Sequence, residues 1–530
     1  MITIYLKIPI LLLLLNFSLL FGFAVGVPEQ FAHLPKDSLP KFLWEAGFWE
    51  ARIDSTHGDT AYVSVGRPSV VSSTRIEIVD SLFILVIPKM LFRPGDTLRA
   101  SEIELQQDLF ITALENNGYP FASCTTKFEI GDRMETIPVK IFFNIEPGDK
   151  VKLERLEADI DGITKASVIE HFMLFKSGGL YRRDIVQKGV LRLRRTGIVS
   201  TTGEPYPALD ASGLWTLVVK CKDIPATSVT GLLGYAEDDI SGDLAFATRN
   251  LLGTGRLAEF SIYAANEIRI IELSYREPFL WSTSISPRIA SRWEVRDSSY
   301  IKREHELGIF FPLGFELDGY FGFSTTRTVP GNSENYVLHG ESFAFEASMD
   351  YSTLDDPVLP TEGIFVSGGA TAEYLHYWND IWVEDNGSDD REFGSQTEAK
   401  LLFAHRWKKL SFWFEVNGWG WLSPTFPPES DWGYLGGWEN LRGYREQQFS
   451  GVRLFHETFE PRFVPVKGVH IFPFADIGCF RDIDNWHTKY SYGAGIEYRY
   501  GAGVFSIEYG IGQERTIRSG LLHFGIRMKL

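Results

Sequence analysis

Cysteine is scarce in this chain of 530 residues, and the three present, Cys124, Cys221 and Cys479, are far apart. An odd number of scattered cysteines predicts neither a disulfide framework nor a cysteine-based metal cluster. Histidine is sparse and dispersed, and the sequence contains no Ser/His/Asp set in a recognisable context and no metal-ligand spacing. The sequence therefore indicates no catalytic residue, no metal site and no cofactor, and argues against an enzyme.

Positive charge is also in deficit. The chain has 52 Lys and Arg residues against 69 Asp and Glu residues, which gives a formal net charge of −17. A nucleic-acid partner would require a basic surface that neutralises phosphates, so none is expected.

Long apolar runs are missing after the N-terminus. Residues 8–23 form an apolar run that follows Lys7 and precedes the small residues Ala24, Val25 and Gly26. This order predicts a secretory signal peptide at residues 1–26, with a single-pass anchor as the alternative. No later run reaches the roughly 18 apolar residues of a transmembrane helix. A mature chain that spans a membrane would therefore have to be a barrel.

The region before residue 225 mixes helical and strand patterns. Residues 27–70 form a leader that contains prolines, whereas residues 71–148 and 149–224 each combine strands with helical spacing. We therefore predict two small α/β modules in tandem. Each would leave one strand edge open for pairing with an extended peptide.

Residues 225–530 have a different periodicity. Phe505 and Ile507, for example, alternate with Ser506 and Glu508, and similar segments recur through the region. One apolar and one polar face, repeated over about sixteen segments, predicts a membrane barrel with a polar lumen. A soluble β-sandwich also alternates, but it rarely continues for roughly 300 residues. The predicted fold class is a transmembrane antiparallel β-barrel of about sixteen strands, preceded by the two modules.

A long glycine-rich and aromatic connection lies between predicted strands that end near Trp421 and begin near Phe449. Connections of roughly 25 residues are generally functional or disordered, and the aromatic residues argue against disorder. The fixed, planar charge of Arg442 suits bidentate pairing with a carboxylate in a partly dry cavity. We expect this segment to fold inward and Arg442 to pair with Asp476; an exposed loop with an ordinary surface arginine is the alternative.

Five short motifs occur in a fixed order along the chain. They occupy residues 250–256, 275–279, 350–363, 441–444 and 474–478. Together they resemble the outer-membrane assembly-factor and two-partner-secretion superfamily, which includes BamA and TamA. The resemblance implies POTRA-like modules in the periplasm and a sixteen-stranded barrel in the bacterial outer membrane.

The resemblance also assigns site residues. The signature of the family's sixth extracellular loop corresponds to Leu441, Arg442, Gly443 and Tyr444. The wall motif of its thirteenth strand supplies Asp476 and Gly478, and Glu457 lies where its twelfth strand offers a second carboxylate. Alternatively, these carboxylates are ordinary lumen-lining charges of a porin.

By the same resemblance, the chain inserts or translocates unfolded outer-membrane or secreted client proteins. Outer-membrane lipids and periplasmic accessory proteins or chaperones would be further partners. The first and last barrel strands are expected to pair poorly and to open laterally at a seam, or else their glycines merely allow curvature. The expected seam residues are Gly231, Gly234, Gly525 and Leu530.

Two alternatives remain at this stage. A two-partner secretion transporter fits the small number of modules. A passive porin would use the long loop as its constriction, but porins need no periplasmic modules. Leu530 also departs from the family, because an aromatic residue is the usual last residue there.

Overall fold

The computed structural model describes residues 43–57, 60–78, 87–132, 134–236, 239–265, 268–296, 299–331, 337, 339–356, 359–378, 391–423, 427–466, 468–500 and 503–529. The expected signal peptide, the leader up to residue 42 and the seam residue Leu530 lie outside the described residues. None of the described helices is long and apolar enough to cross a membrane. One compact unit ends at Glu154 and includes Gly178–Asp184; the other comprises Arg155–Ser177 and the chain from Ile185 onward.

The first unit contains a hairpin and an α/β layer. The hairpin pairs β1 (Arg52–His57) with β2 (Thr60–Ser64) inside the predicted leader. The α/β layer, called the first module, consists of β3 (Ser69–Ile78), α1 (Ala100–Glu115), β4 (Ser123–Ile130) and β5 (Ile137–Glu146), with strand order β3-β5-β4. Phe110 of α1 packs edge-on against Phe143 of β5 at 5.4 Å between ring centroids. Both side chains are fully buried, so this contact lies in the core of the module.

A second α/β layer follows, called the second module. It consists of β7 (Arg155–Asp161), α2 (Ala166–Phe172), α3 (Arg183–Arg195), β9 (Val199–Thr201), β10 (Tyr206–Leu209) and β11 (Trp215–Asp223). The sheet order is β10-β11-β7, and β9 also pairs with β11. The short strands β6 (Lys152–Leu153) and β8 (Gly179–Leu180) pair within the first unit. Helix α3 buries Val186, Val190 and Leu193 at a spacing of three or four residues, the spacing of an amphipathic helix.

Sixteen antiparallel strands close into a barrel, β12 to β22 and then β25 to β29. Their bounds are β12 Thr227–Ala236, β13 Asp239–Leu251, β14 Arg256–Ala265, β15 Ile268–Arg276, β16 Ser286–Arg296, β17 Tyr300–Pro312, β18 Leu317–Pro330, β19 Gly340–Ser352, β20 Gly363–Tyr377, β21 Arg391–Trp407, β22 Leu410–Trp421, β25 Arg453–Phe463, β26 Val469–Arg481, β27 Trp486–Tyr500, β28 Gly503–Gly512 and β29 Leu521–Lys529. The connection between β22 and β25, residues 422–452, is called loop six. It contains the hairpin of β23 (Gly433–Leu435) and β24 (Phe449–Gly451).

The barrel wall has the predicted alternation. Phe505 and Ile507 on β28 are 37% and 46% exposed, whereas Ser506 and Glu508 between and beside them are 7% and 3% exposed. The outer surface is therefore apolar and the lumen polar, as a closed sheet in a bilayer requires. The predicted fold class, a transmembrane barrel after two small α/β modules, is confirmed.

The first and last strands form a regular seam. β12 and β29 pair over eight positions, as many as β28 and β29. Gly231 lies opposite Ile526, Gly234 opposite His523, and Gly525 opposite Leu232. The expected poor pairing is therefore wrong for this closed form of the barrel, since the three glycines leave the ladder continuous.

Cys221 provides a test of the second module. Burial of its thiol, together with the nearby Asp223 and Asp159 carboxylates, raises the pKa of Cys221 from 9.0 to about 11. Because the thiolate is the reactive form, we expect iodoacetamide at pH 8 to alkylate Cys221 at least about tenfold more slowly in the folded protein than in urea. The measurement is peptide mass spectrometry over time on a variant in which the other two cysteines are serine. Equal rates in both conditions would contradict the burial of this strand.

Candidate functional site

Loop six folds into the lumen instead of away from the barrel. Leu441, Tyr444 and Arg442 are 0%, 4% and 5% exposed. The backbone of Gly443, with φ +84°, lies directly against β28: a Cβ at this position would be 2.6 Å from the backbone nitrogen of Gly512. A side chain at position 443 would therefore be strained and would also collide with the wall.

Arg442 is the centre of the contacts between loop six and the wall. Its Nε and Nη2 donate to the two carboxylate oxygens of Asp476 at 2.9 and 2.6 Å. Its Nη1 donates to Glu460 at 2.8 Å and to Glu508 at 2.7 Å. The guanidinium also lies 3.5 Å from the ring centroid of Phe474. Bidentate pairing and stacking together use both the fork and the flat face of the arginine.

Asp476 is therefore placed where the sequence expected it, but Glu457 is not. The carboxylate of β25 that contacts Arg442 belongs to Glu460. Glu457 shares the parity of Phe455 and Phe459, which are 37% and 44% exposed on the outer face of the barrel. Successive side chains of a strand point to opposite faces, so Glu457 lies on the outer face and Glu460 in the lumen.

Three further residues of the expected set position the loop. Gly478 leaves room for Leu441, because a Cβ on Gly478 would lie 2.9 Å from Leu441 Cδ2. The Tyr444 hydroxyl donates to the backbone oxygen of Tyr490 at 2.9 Å and accepts from the backbone N–H of Gln513 at 2.9 Å. The structure thus brings Leu441, Gly443, Tyr444 and Gly478 around Arg442. The seam glycines lie apart, on β12 and β29.

The ion pairs continue beyond Arg442 through residues that the sequence reasoning missed. Arg462 donates to Glu460 at 2.7 Å and to Glu497 at 2.9 Å. Trp438 of the loop donates to Glu508 at 3.0 Å. The alternation of faces along β25 is the signal that could have found Glu460 and Arg462. Both are on the face opposite to Phe455 and Phe459, which is the lumen face.

The resulting cluster contains more carboxylates than cations. Its members are Arg442 and Arg462 against Asp476, Glu460, Glu508 and Glu497. The cations are therefore required to keep the buried carboxylates compensated. This arrangement fixes the position of loop six. Within the described residues, no group of three or more His, Cys, Asp or Glu side chains is placed to hold a metal ion.

We expect Arg442→Ala to lower the free energy of unfolding by about 3–5 kcal/mol, because three buried carboxylates lose their shared cation. Arg442→Lys should have an intermediate effect, since lysine keeps the charge but not the planar fork. The measurement is the unfolding midpoint in detergent, together with protease cleavage within loop six. Arg518→Ala, in the exposed turn after β28, is the control. Equal behaviour of the Arg442 and Arg518 variants would refute the anchoring role.

Comparisons with known proteins agree with this architecture. The Omp85 superfamily domain matches residues 250–526. BamA from Haemophilus ducreyi lacking POTRA domains 1–3 is similar at 15% identity and a TM-score of 0.51, covering 87% of this chain and 99% of that chain. CdiB from Acinetobacter baumannii is similar at 11% identity and a TM-score of 0.53, covering 87% of this chain and 90% of that chain.

CdiB from Escherichia coli is similar at 12% identity and a TM-score of 0.50, covering 91% of this chain and 95% of that chain. At these identities the solved structures show a shared fold. The superfamily match, which spans more than half of the residues, confirms the resemblance of the motifs: the chain belongs to the Omp85 superfamily.

Proposed function

We propose that this protein is an assembly factor that inserts client polypeptides into the bacterial outer membrane through the seam between β12 and β29. Membership of the Omp85 superfamily supports an outer-membrane role in polypeptide assembly or translocation. In this proposal residues 1–26 are removed, and residues 71–148 and 149–224 are POTRA-like modules in the periplasm. Residues 225–530 form the barrel, and the clients are unfolded outer-membrane proteins.

The buried anchor of loop six is the observation that carries the proposal. A client that passes through the lumen would have to displace this loop. Removal of Arg442 would leave Asp476 and Glu508 buried without their cation and Glu460 with Arg462 alone, at a cost of about 3–5 kcal/mol. At the seam, by contrast, a client strand can replace each backbone hydrogen bond between β12 and β29 with an equivalent one. Strand exchange at the seam is therefore favoured over passage through the lumen.

The first module offers an edge for receiving the client. The N–H of Gly131 donates to the carbonyl of Pro138 on the β5 side. In an antiparallel pair, the backbone groups of successive residues point alternately towards the partner strand and away from it. The backbone groups of Phe128 and Ile130 therefore point away from β5. Cys124 lies an even number of residues before Phe128 and Ile130, so its backbone should have the same orientation. Its carbonyl accepts from the Gln107 side chain at 3.2 Å, which supports this alternation independently. Phe128 and Ile130 are 41% and 59% exposed. An extended client segment could therefore pair with β4 and also contact apolar side chains.

The corresponding edge of the second module is less suitable. The N–H of Asp210 donates to the carbonyl of Leu214, so the same alternation points the backbone of Pro207 outward. Proline has no N–H to donate to an added strand. The edge is also interrupted between β9, which ends at Thr201, and β10, which begins at Tyr206. We therefore assign client pairing to the first module.

The second module instead contacts the barrel turns at the end where the chain enters β12. Arg192 donates to both carboxylate oxygens of Asp318, at 2.6 and 3.2 Å. On a different pair of strands, the side chain of Asn250 donates to the Thr164 hydroxyl at 2.8 Å. Two separated contacts restrain the orientation of the module, which supports a role in positioning the client near the barrel.

A disulfide across the seam tests the insertion route. We expect Leu232→Cys combined with Gly525→Cys, which lie opposite each other on β12 and β29, to stop insertion when oxidised and to restore it when reduced. The physical reason is that a covalent link prevents strand exchange. The measurement is insertion of an unfolded eight-stranded outer-membrane protein into liposomes that contain the full chain.

The matched control for this experiment is Ala245→Cys with Ser261→Cys, which links the neighbouring strands β13 and β14. Normal insertion by the oxidised seam variant would rule out the seam as the route. Continued export of a secreted partner by that variant would favour the alternative function, a two-partner secretion transporter, which the two modules also fit.

A pair of proline substitutions tests the assignment of the client edge. Ile130→Pro should weaken crosslinking of an unfolded client to the protein about three- to tenfold, because it removes an outward N–H from β4. Leu209→Pro is the matched control, since Leu209 also faces outward on an edge strand and is 57% exposed against 59% for Ile130. The measurement is photocrosslinking of a client peptide to the full chain in nanodiscs. A loss in the Leu209 variant alone would reverse the assignment.

A further inference from the structure

Loop six has a second polar anchor on a different part of the wall from the Arg442 cluster. The Nζ of Lys302, on β17, donates to the Asp431 carboxylate at 2.6 Å and to the backbone oxygen of Ser430 at 3.2 Å. The side chains of Lys302 and Asp431 are 23% and 14% exposed. This ion pair is therefore shielded from much of the solvent screening that weakens surface pairs.

Neighbouring contacts reinforce the second anchor. Arg296, on β16, donates to the Gln447 side chain at 2.6 Å and lies 3.9 Å from the ring centroid of Tyr434. Trp432, which follows Asp431, packs against a buried cluster that includes Tyr377 and Trp421. Loop six is thus held at this second anchor by charge, by stacking and by apolar packing together.

The two anchors have opposite polarity. At Arg442 the loop supplies the cation and the wall supplies the carboxylates. At Asp431 the loop supplies the carboxylate and the wall supplies Lys302. Each of the two anchored segments of loop six is therefore electrostatically matched to its own part of the wall, and exchange of the two segments would place like charges together.

The position of the anchors relates them to the seam. The strands from β28 through β29 and β12 to β17 number eight, which is half of the sixteen-stranded barrel. Loop six connects the two ends of this half, because Arg442 contacts Glu508 on β28 and Asp431 contacts Lys302 on β17. Separation of β12 from β29, with the other strands still paired, would move β17 away from β28. The loop opposes that movement for as long as both anchors hold.

We propose that Lys302 is a positioning residue that, through Asp431, makes loop six a tie across the lumen and so keeps the seam closed. The biological purpose of this tie rests on the proposed insertion route. The tie itself is a physical property that can be measured without any client.

The experiment measures the width of the seam by pulsed electron paramagnetic resonance. Spin labels are placed on β13 and β28 at Phe246→Cys and Ile507→Cys, whose native side chains are 45% and 46% exposed. The full chain is held in nanodiscs, with its three native cysteines replaced by serine. We expect Lys302→Gln and Asp431→Asn each to increase the fraction of long label-to-label distances about fivefold or more. Fivefold is the lower end of the range by which one site typically shifts an equilibrium at another.

The double exchange Lys302→Asp with Asp431→Lys should restore the narrow distribution, because it rebuilds the ion pair in reverse. Lys409→Gln, in an exposed turn between β21 and β22, is the control. If Lys302→Gln does not fold, Asp431→Asn and the double exchange still decide the question. Distance distributions that match the unsubstituted protein in both single variants would overturn the proposal.

Client insertion measured on the same samples separates the two proposals. A wider seam after Lys302→Gln, without insertion in any variant, would refute the insertion route and support the tie. Normal insertion with a seam that does not respond to Lys302→Gln would refute the tie alone.

Discussion

The position of loop six in the lumen depends on one buried positive charge, Arg442, and on the carboxylates that compensate it. Arg442 can remain 5% exposed only because carboxylates from three strands surround it. Those carboxylates in turn remain buried only because the arginine is present. The wall and the loop are therefore each unfavourable without the other. This mutual dependence gives a long loop, which would otherwise lose conformational entropy without return, one defined position.

The barrel, the loop and the modules use different kinds of interaction for different tasks. Backbone pairing closes the sheet and is almost independent of side-chain identity. Ion pairs such as Arg442 with Asp476 fix a long loop at one place. In the modules, the exposed strand edges differ in the backbone donors that they leave free, because Pro207 has no N–H. Closure of the sheet and positioning of the loop thus depend on different interactions.

Much of the fold could be predicted because alternation along a strand is a local property. Phe505, Ser506 and their neighbours indicate an apolar and a polar face without knowledge of any partner strand. The short motifs at residues 441–444 and 474–478 identify Arg442 and Asp476. The resemblance alone assigns the second carboxylate to Glu457, whereas Phe455 and Phe459, exposed on the outer face of β25, place Glu457 outside and Glu460 in the lumen.

Other features could not be read from local patterns. Glu508 reaches Arg442 across 66 residues of sequence, and Lys302 reaches Asp431 across 129. Such pairs depend on strand order and register across the whole barrel. The regular pairing of β12 with β29 is of the same kind, because glycine content alone does not determine whether two distant strands form a ladder.

The placement of the Arg442 partners has a consequence for the order of synthesis and folding. Glu460, Asp476 and Glu508 all follow Arg442 in the chain, by 18, 34 and 66 residues. A ribosome therefore completes the arginine well before the carboxylates that receive it. The loop can take up its final position only after the last strands have joined the sheet, so its docking distinguishes a complete chain from a truncated one.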